Sequence, residues 1–396
     1  MRLGDTDAEA AFRAELVAWL DAHAPAREVL AAPKRSTAYL EDWARDWQLA
    51  LFRAGWLVPG WSPELGGRDA APTEQMIYFE EIARRAIPRS LNPQGLGIVA
   101  PSLHDFGTPE QLERWLLPTL RAEIAWCVGM SEPNAGSDLA GLRTAATLDG
   151  DTFVVNGQKV WTSGAHHADW CMCFVRTDPD APKHAGISVL IIDMRSPGIE
   201  TRPLPELTTP DRFDFNEVFF SDVVVPREHL LGELHAGWPL TRASLGHERA
   251  MLWIDTAYEV ERAFDALLAV ADRPTVDGRR MRDDTRYRDE VALRHVDAQS
   301  LLLMGYRGFS KAARGKAAPE HSVLKLYGSE ILQRLLLAGF EAVGVDALDL
   351  AHAGPRLWSA GSWASQYLHS FAATIPGGTS EIQRNIIAER ILGLPR

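Results

Sequence analysis

The sequence predicts an α+β chain in which a helical region, a small antiparallel β domain and a helical bundle follow one another. Three observations carry this reading. Up to about residue 122 the chain reads as helices opened by capping signals. From about 123 to 235 β-branched and aromatic residues gather in short runs between Gly, Pro and Asp punctuation, and after Pro239 the 3.6-residue apolar period returns and persists. The domains are therefore expected at 1–122, 123–235 and 236–396. The chain has 396 residues, room for two or three domains, and its 46% apolar content supplies ample core.

Thr6 with Glu9 three positions later predicts a capping box that opens an amphipathic run through Trp19 and Leu20. Thr108-Pro109-Glu110-Gln111 is a second start signal, with Pro at the first helical position. The Pro and Gly cluster from Pro59 to Pro72 predicts a loop. In the middle region, Phe153-Val154-Val155 and Lys159-Val160-Trp161 flank Asn156-Gly157, which predicts a hairpin turn. Ile187 to Ile192 and Val218 to Val225 predict further strands. Long helical stretches are expected at 239–271, 286–314, 319–352 and 380–392.

Charge and cysteine content exclude several classes. A net charge of −12 argues against a broad nucleic-acid surface, which needs clustered Lys and Arg. Three cysteines are too few for a disulfide framework and lack metal-ligand spacing, so no metal is expected. His166-His167 read as neighbours in a solvated loop. Asp5, Asp7 and Glu9 stand where a signal peptide would be basic, and no apolar run approaches the roughly 20 residues of a membrane helix. A cytoplasmic protein is expected. Gly95-x-Gly97-x-x-Ala100 fits a loose dinucleotide pattern, but Asn92-Pro93 stands where a strand should precede it.

Three segments carry the chemistry. Met130-Ser131-Glu132-Pro133-Asn134-Ala135-Gly136-Ser137-Asp138 suits a loop that offers backbone N–H groups and hydroxyls to an anion; a plain polar turn is the alternative. Trp161-Thr162-Ser163 sets an aromatic face beside two hydroxyls, although a strand Trp is ordinarily core. Pro376-Gly377-Gly378-Thr379-Ser380-Glu381-Ile382-Gln383-Arg384 is a glycine turn feeding a helix, with Ser380 and Gln383 expected to form its capping box.

In this order, the three segments resemble the acyl-CoA dehydrogenase family over essentially the whole chain. The first resembles the family's Thr-Glu-Pro-x-x-Gly-Ser-Asp flavin loop, with Ser131 for Thr. The second matches an Asn-Gly-x-Lys-x-Trp-x-[Thr/Ser] motif through Asn156, Gly157, Lys159, Trp161 and Ser163, and the third a Gly-Thr-Ser-Glu-Ile-Gln-Arg run. The resemblance implies a middle antiparallel β-barrel-like domain, a C-terminal four-helix bundle and FAD as cofactor. It places FAD on Val128, Met130, Ser131, Gly136, Ser137, Trp161, Thr162 and Ser163, with Thr379 and Glu381 approaching from the last helix. Ser131 would meet the pyrimidine edge, Ser137 the phosphates, and Trp161 would flank the isoalloxazine.

The implied reaction removes an α proton and a β hydride from an acyl-CoA thioester. Many relatives carry the base in a Tyr-Glu-Gly-Thr turn, where this chain has Gly377. A second placement in the family, Glu followed by Arg on the first helix of the C-terminal domain, matches Glu248-Arg249. Glu248 falls on the apolar stripe with Leu245, Met251 and Leu252, and is the expected base. Ser137, Leu245, Arg249, Gly377 and Gly378 are expected at the substrate, and the helix around Leu96 to Val99 along the acyl pocket.

The family's cross-subunit flavin contacts are reduced here to Arg273, and a typical Leu-Gly-Gly reads Val343-Gly344-Val345. Mixed assemblies, resembling sterol side-chain dehydrogenase subunits, are therefore weighed beside a homotetramer. An electron-transfer flavoprotein is the implied acceptor and a bulky or branched acyl group the implied substrate. Two alternatives stay open: a same-fold oxidase or monooxygenase, and a non-catalytic subunit.

Overall fold

Both predicted helix starts form in the structure, a computed structural model that describes residues 4 to 395 except 33, 208–212, 275–277, 315–319, 350–353 and 355–360. Inside the helices, the side chains of 241–252 and of 321 are likewise outside the described residues. The Thr6 hydroxyl accepts from Glu9 N at 3.1 Å and the Glu9 carboxylate accepts from Thr6 N at 2.7 Å. This box opens α1 (Asp7–His23), followed by α2 (Arg27–Ala31), α3 (Asp42–Arg53), α4 (Pro72–Arg84) and α5 (Ala100–Phe106). The second box, Thr108 with Gln111, opens α6 (Pro109–Gln111), which continues through a π-helical turn, Leu112–Leu116, into α7 (Leu117–Leu120).

Among the described residues eight strands come next: β1 (Trp126–Gly129), β2 (Ala145–Asp149), β3 (Thr152–Lys159), β4 (Trp170–Arg176), β5 (Ile187–Asp193), β6 (Ile199–Pro203), β7 (Asn216–Pro226) and β8 (Leu230–Leu231). They form one sheet in the order β6-β7-β3-β2-β4-β5-β8, with β1 also on β4. The barrel-like expectation is overturned. Closure requires the terminal strands to hydrogen-bond to each other, whereas β6 pairs with β7 and the two-residue β8 with β5. The halves meet through a single register pair, Ala145↔Arg176. They share a core instead of a closed ladder: Phe153, Val155, Val218 and Phe220 from one half pack in the same buried cluster as Cys171, Cys173, Leu190 and Ile192 from the other. Nor is the sheet purely antiparallel, because β1 and β2 both run parallel to β4.

Asn156-Gly157 is not a hairpin turn. β3 runs straight through it against β7, and its register shifts between Val155 and Gly157, a β-bulge. Asn156 bonds Asp222 in both directions at 2.9 Å, and Asp222 has φ +51°. Gly157 is required there: a Cβ would stand 2.6 Å from Thr144 Cα. The turn that joins β2 to β3 is Gly150-Asp151, closed by the pair Asp149↔Thr152.

The helical period resumes in α8 (Gly237–Ala269), α9 (Thr285–Ala312), α10 (Glu320–Val343), α11 (Trp363–Ala373) and α12 (Ser380–Ile386), the last continued by a π-helical turn, Ile387–Ile391. α10 ends earlier than expected, at Gly344 with φ +71°, and α11 was not anticipated.

Contacts sort the chain into two units. One comprises Lys34–Ala70 with Pro88–Glu248, the other Met1–Pro33, Ala71–Ile87 and Arg249–Arg396. In the second, two glycines admit indole rings: a Cβ on Gly305 would lie 2.0 Å from Trp253 and one on Gly339 1.9 Å from Trp363. Arg13 of α1 bridges to Glu80 and Glu81 of α4, and Tyr306 of α9 donates to Glu80 at 2.6 Å. Among the described residues, no helix is long and apolar enough to cross a membrane.

Candidate active site

Residues 130–138 leave the end of β1 as a loop rather than a strand. Two consecutive residues leaving β3 hold its entry: Lys159 Nζ donates to Met130 O at 3.1 Å, and Val160 N donates to Ser131 O at 2.9 Å. Lys159 is fully buried. Burying an ammonium is expensive unless a counter-charge accompanies it, and Glu132 provides one at 2.9 Å. The Glu132 carboxylate also accepts from Arg143 N at 2.7 Å and Thr144 N at 2.8 Å. One side chain thus joins the loop's entry to its exit. Burial pushes the Glu132 carboxyl upward, but the Lys159 charge and hydrogen bond, with the Thr144 contacts, outweigh it and hold the group below the usual carboxylate range.

At the loop tip, Glu132 and Ala135 exchange backbone hydrogen bonds at 3.0 Å in both directions. Gly136 and Ser137 beyond them are exposed, and a Cβ on Gly136 would meet open space. The backbone here admits close approach by a ligand. Val128, Met130 and Ser131 are half-buried.

Two residues after Lys159 stands Trp161, and it is not core: its residue exposure is 61% and its φ is +59°. A bulky residue in the left-handed region costs on the order of 1–3 kcal/mol and is held there by its surroundings. Thr162 N donates to Asn216 O at 3.1 Å, and Asn216 Nδ2 donates to Thr162 O at 3.0 Å. This two-way clamp fixes the segment, while Phe215 meets the Trp161 ring edge-on at 5.9 Å between centroids. The buried Thr162 hydroxyl has no hydrogen-bond partner among the described residues. An orphaned hydroxyl beside an exposed indole is what a flat heterocycle with polar edges would complete, so this segment fits FAD.

His167 is exposed, as expected of the loop, and His166 is half-buried, while both rings are tied to neighbours. Their rings lie 4.1 Å apart, His166 Nδ1 is 3.0 Å from Asn216 Oδ1, and His167 Nδ1 is 2.9 Å from Ser36 Oγ. Gly95 serves packing: Asn92, which bonds the Trp126 backbone, occupies the space a Cβ would need. Leu96 and Val99 are buried within the π-helical turn Gly95–Val99.

In the other unit, Gly377 and Gly378 adopt φ +68° and +100°. Gln383 Nε2 donates to Gly377 O at 3.1 Å and Lys325 Nζ to Gly378 O at 2.7 Å. Thr379, rather than Ser380, caps α12 by accepting from Ile382 N at 3.3 Å; Ser380 is inside the helix, and Gln383 serves the glycine turn. A Cβ on Gly377 would meet nothing within 4 Å. Thr379 and Glu381 line a cavity of about 350 Å³ with Glu330, Arg334 and Arg384. Arg273 pairs with Asp346 at 2.5 Å, which brings together the two segments whose cross-subunit counterparts are altered here. Leu245, Glu248 and Arg249 lie on α8, but their side chains fall outside the described residues.

Residues 6–123, 127–223 and 235–392 match the N-terminal, middle and C-terminal domains of acyl-CoA dehydrogenase respectively. The chain is 36% identical to the acyl-CoA dehydrogenase IpdE1 of Mycolicibacterium smegmatis, over 97% of each chain. It belongs to the acyl-CoA dehydrogenase family. This dehydrogenase is an oxidoreductase acting on CH–CH bonds, which uses FAD to introduce an α,β double bond into an acyl-CoA. Two solved structures superpose on it at a TM-score of 0.83 over the full length of both chains. They are the ChsE4-ChsE5 complex from Mycobacterium tuberculosis, 32% identical, and the Tcur3481-Tcur3483 steroid ACAD, 29% identical.

Sequence reasoning missed the roles of Glu132, Asn216 and Lys325. The one signal for Glu132 was its place, like that of Lys159, inside segments that resemble family motifs; Asn216 and Lys325 stand in no such segment.

Two predictions follow from this geometry. Trp161→Gly relieves the left-handed strain while removing the ring, so the apoprotein should melt at an unchanged or higher temperature while FAD binds at least about 10-fold more weakly; a titration showing undiminished FAD affinity would contradict it. Because the Glu132 pKa is depressed by folding, its stabilising contribution is complete above its ordinary value of 4.5 and disappears as pH falls through the lower folded value. Denaturant unfolding should therefore show wild type ahead of Glu132→Gln near neutral pH, by a few kcal/mol at most, with the gap closing in acid. A gap that stays constant from pH ~7 to ~3 would refute this linkage.

Proposed function

We propose that Glu248 is the base that takes the α proton, and that the substrate is a bulky or branched acyl-CoA such as a steroid side-chain thioester. The observation that carries this is the open space at Gly377. The turn before the last helix holds no acid, and its Cβ position is empty, so the proton acceptor must come from elsewhere. Glu248, on the apolar stripe of α8, is the candidate the sequence offers.

Bound FAD supplies the two-electron acceptor for the β hydrogen. The chain's own part is to bind, orient and move a proton. Backbone N–H donors at Gly377 and Gly378 polarise the thioester oxygen, which acidifies the α carbon. The Glu248 carboxylate accepts the α proton as the C–H bond breaks, and its efficiency depends on exclusion from water, which raises its proton affinity. Ser131, Ser137, Trp161, Thr162 and Ser163 hold the cofactor, helped by Val128, Met130 and Gly136; Thr379, Glu381 and Arg273 serve it from the C-terminal segment. Ser137, Leu245 and Arg249 bind substrate. The segments 1–122, 123–235 and 236–396 serve as acyl-pocket, flavin-loop and base-bearing parts.

The space at Gly377 also supports the choice of substrate, since it leaves room near the reacting carbons, and the steroid ACAD among the similar structures points the same way. Likeness to the ChsE4-ChsE5 complex supports pairing with a second family subunit in a heterotetramer over a homotetramer. An electron-transfer flavoprotein is the proposed acceptor.

Glu248→Gln should lower kcat by about 10²–10⁴-fold or more with flavin content unchanged, measured by anaerobic flavin bleaching. Undiminished turnover would remove Glu248 from the mechanism, and a wild-type chain without turnover would favour a non-catalytic subunit. Screened across acyl-CoA thioesters, the enzyme should bleach with ring-bearing or branched chains; activity confined to short straight chains would contradict the proposed substrate class.

A further inference from the structure

The loop read above as the flavin loop is anchored from beneath by charges that the reaction itself does not use. Lys159 is fully buried, and Glu132 is 9% exposed. Their ion pair is tied to Met130 O on one side and to the Arg143 and Thr144 amides on the other. The next residue, Val160, bonds Ser131 O, and Trp161 follows in its left-handed conformation. Three stretches distant in sequence therefore converge on one carboxylate–ammonium contact: the loop entry, the loop exit and the tryptophan segment. An apolar pair would fill the same volume without the orientation that donors and acceptors impose.

We infer that Lys159 and Glu132 are a positioning pair that preassembles the cofactor cradle, setting Ser131, Ser137 and Trp161 in one arrangement before FAD arrives. The inference rests on the reading that residues 130–137 and 161–163 hold FAD. Preorganisation of this kind acts on affinity by removing the ordering cost at binding.

The test uses the full-length apoprotein. Lys159→Met alone would strand a buried carboxylate, so the decisive variant is Lys159→Met combined with Glu132→Gln, which removes both charges. The expected result is a melting temperature close to wild type, amide exchange faster by about 10-fold or more confined to residues 130–144 and 160–163, and FAD binding weaker by at least about 10-fold. Lys159→Arg, which keeps the charge and its hydrogen bonds, should recover most of the FAD affinity. Wild-type FAD affinity in the double variant would overturn the inference, and so would loss of protection spread across β4 and β5, which would mark a general stabilising role. Should the double variant fail to fold, Glu132→Gln alone is read by FAD affinity and by where amide exchange quickens, its melting temperature being set aside because it strands the Lys159 ammonium. If Trp161→Gly and Ser131→Ala also leave FAD affinity unchanged, the cofactor-site reading itself fails, an outcome separate from failure of the pair alone.

Discussion

A buried ammonium has few tolerable environments, and the one Lys159 finds organises the middle of this protein. Stripped of water, its charge requires an anion and acceptors; Glu132 and the Met130 carbonyl answer that requirement. Satisfying Glu132 in turn requires donors, and the amides of Arg143 and Thr144 supply them. The loop that opens after β1 is thereby closed on itself by electrostatics rather than by apolar packing. Its tip can remain exposed and glycine-bearing without losing its place. A ligand-binding loop needs that combination: a fixed base and an open surface.

The sheet contributes a second constraint. Because, among the described residues, its two halves are joined through Ala145↔Arg176 alone, they fold over a common core instead of closing into a ladder. The bulge opposite Asn156-Gly157 places its extra residue on β7, where the inward-facing set shifts from Val218 and Phe220 to Val223 and Val225. β3 keeps its alternation, so Lys159 enters the interior in phase with Phe153 and Val155. The strain at Trp161 is maintained by the Asn216 clamp a residue later, so an energetically poor conformation persists where an exposed aromatic face is useful.

The C-terminal turn shows the opposite device, absence. Gly377 and Gly378 hold positive φ, their carbonyls are tied back by Gln383 and Lys325, and the Cβ direction at Gly377 is open. The turn keeps its shape while giving up a side chain. A turn without a side chain at Gly377 holds no carboxylate that could act as a base, which is the ground for proposing Glu248 in that role.

By itself the sequence determined what depends on neighbours along the chain. The capping boxes at Thr6 and Thr108, the strands around Ile187–Ile192 and Val218–Val225, and the long helices after Pro239 are local consequences of side-chain periodicity and of donors three residues apart. The three segments that resemble the family's motifs were legible for the same reason, since such a motif is written in consecutive residues. What only the tertiary structure decided was long-range pairing. Asn156-Gly157 carries the local signature of a turn, yet it pairs with β7 opposite a bulge in that strand, because cross-strand hydrogen bonds outweigh a dipeptide's preference. The expected barrel gave way to an open, partly parallel sheet because closure depends on which edges meet, a property no single segment holds. Gln383 left the expected cap for the carbonyl of Gly377, six residues before it, a local alternative that the cap signal did not distinguish. The burial of Lys159 and the partner it finds in Glu132, 27 residues earlier in the chain, likewise belong to the folded molecule alone.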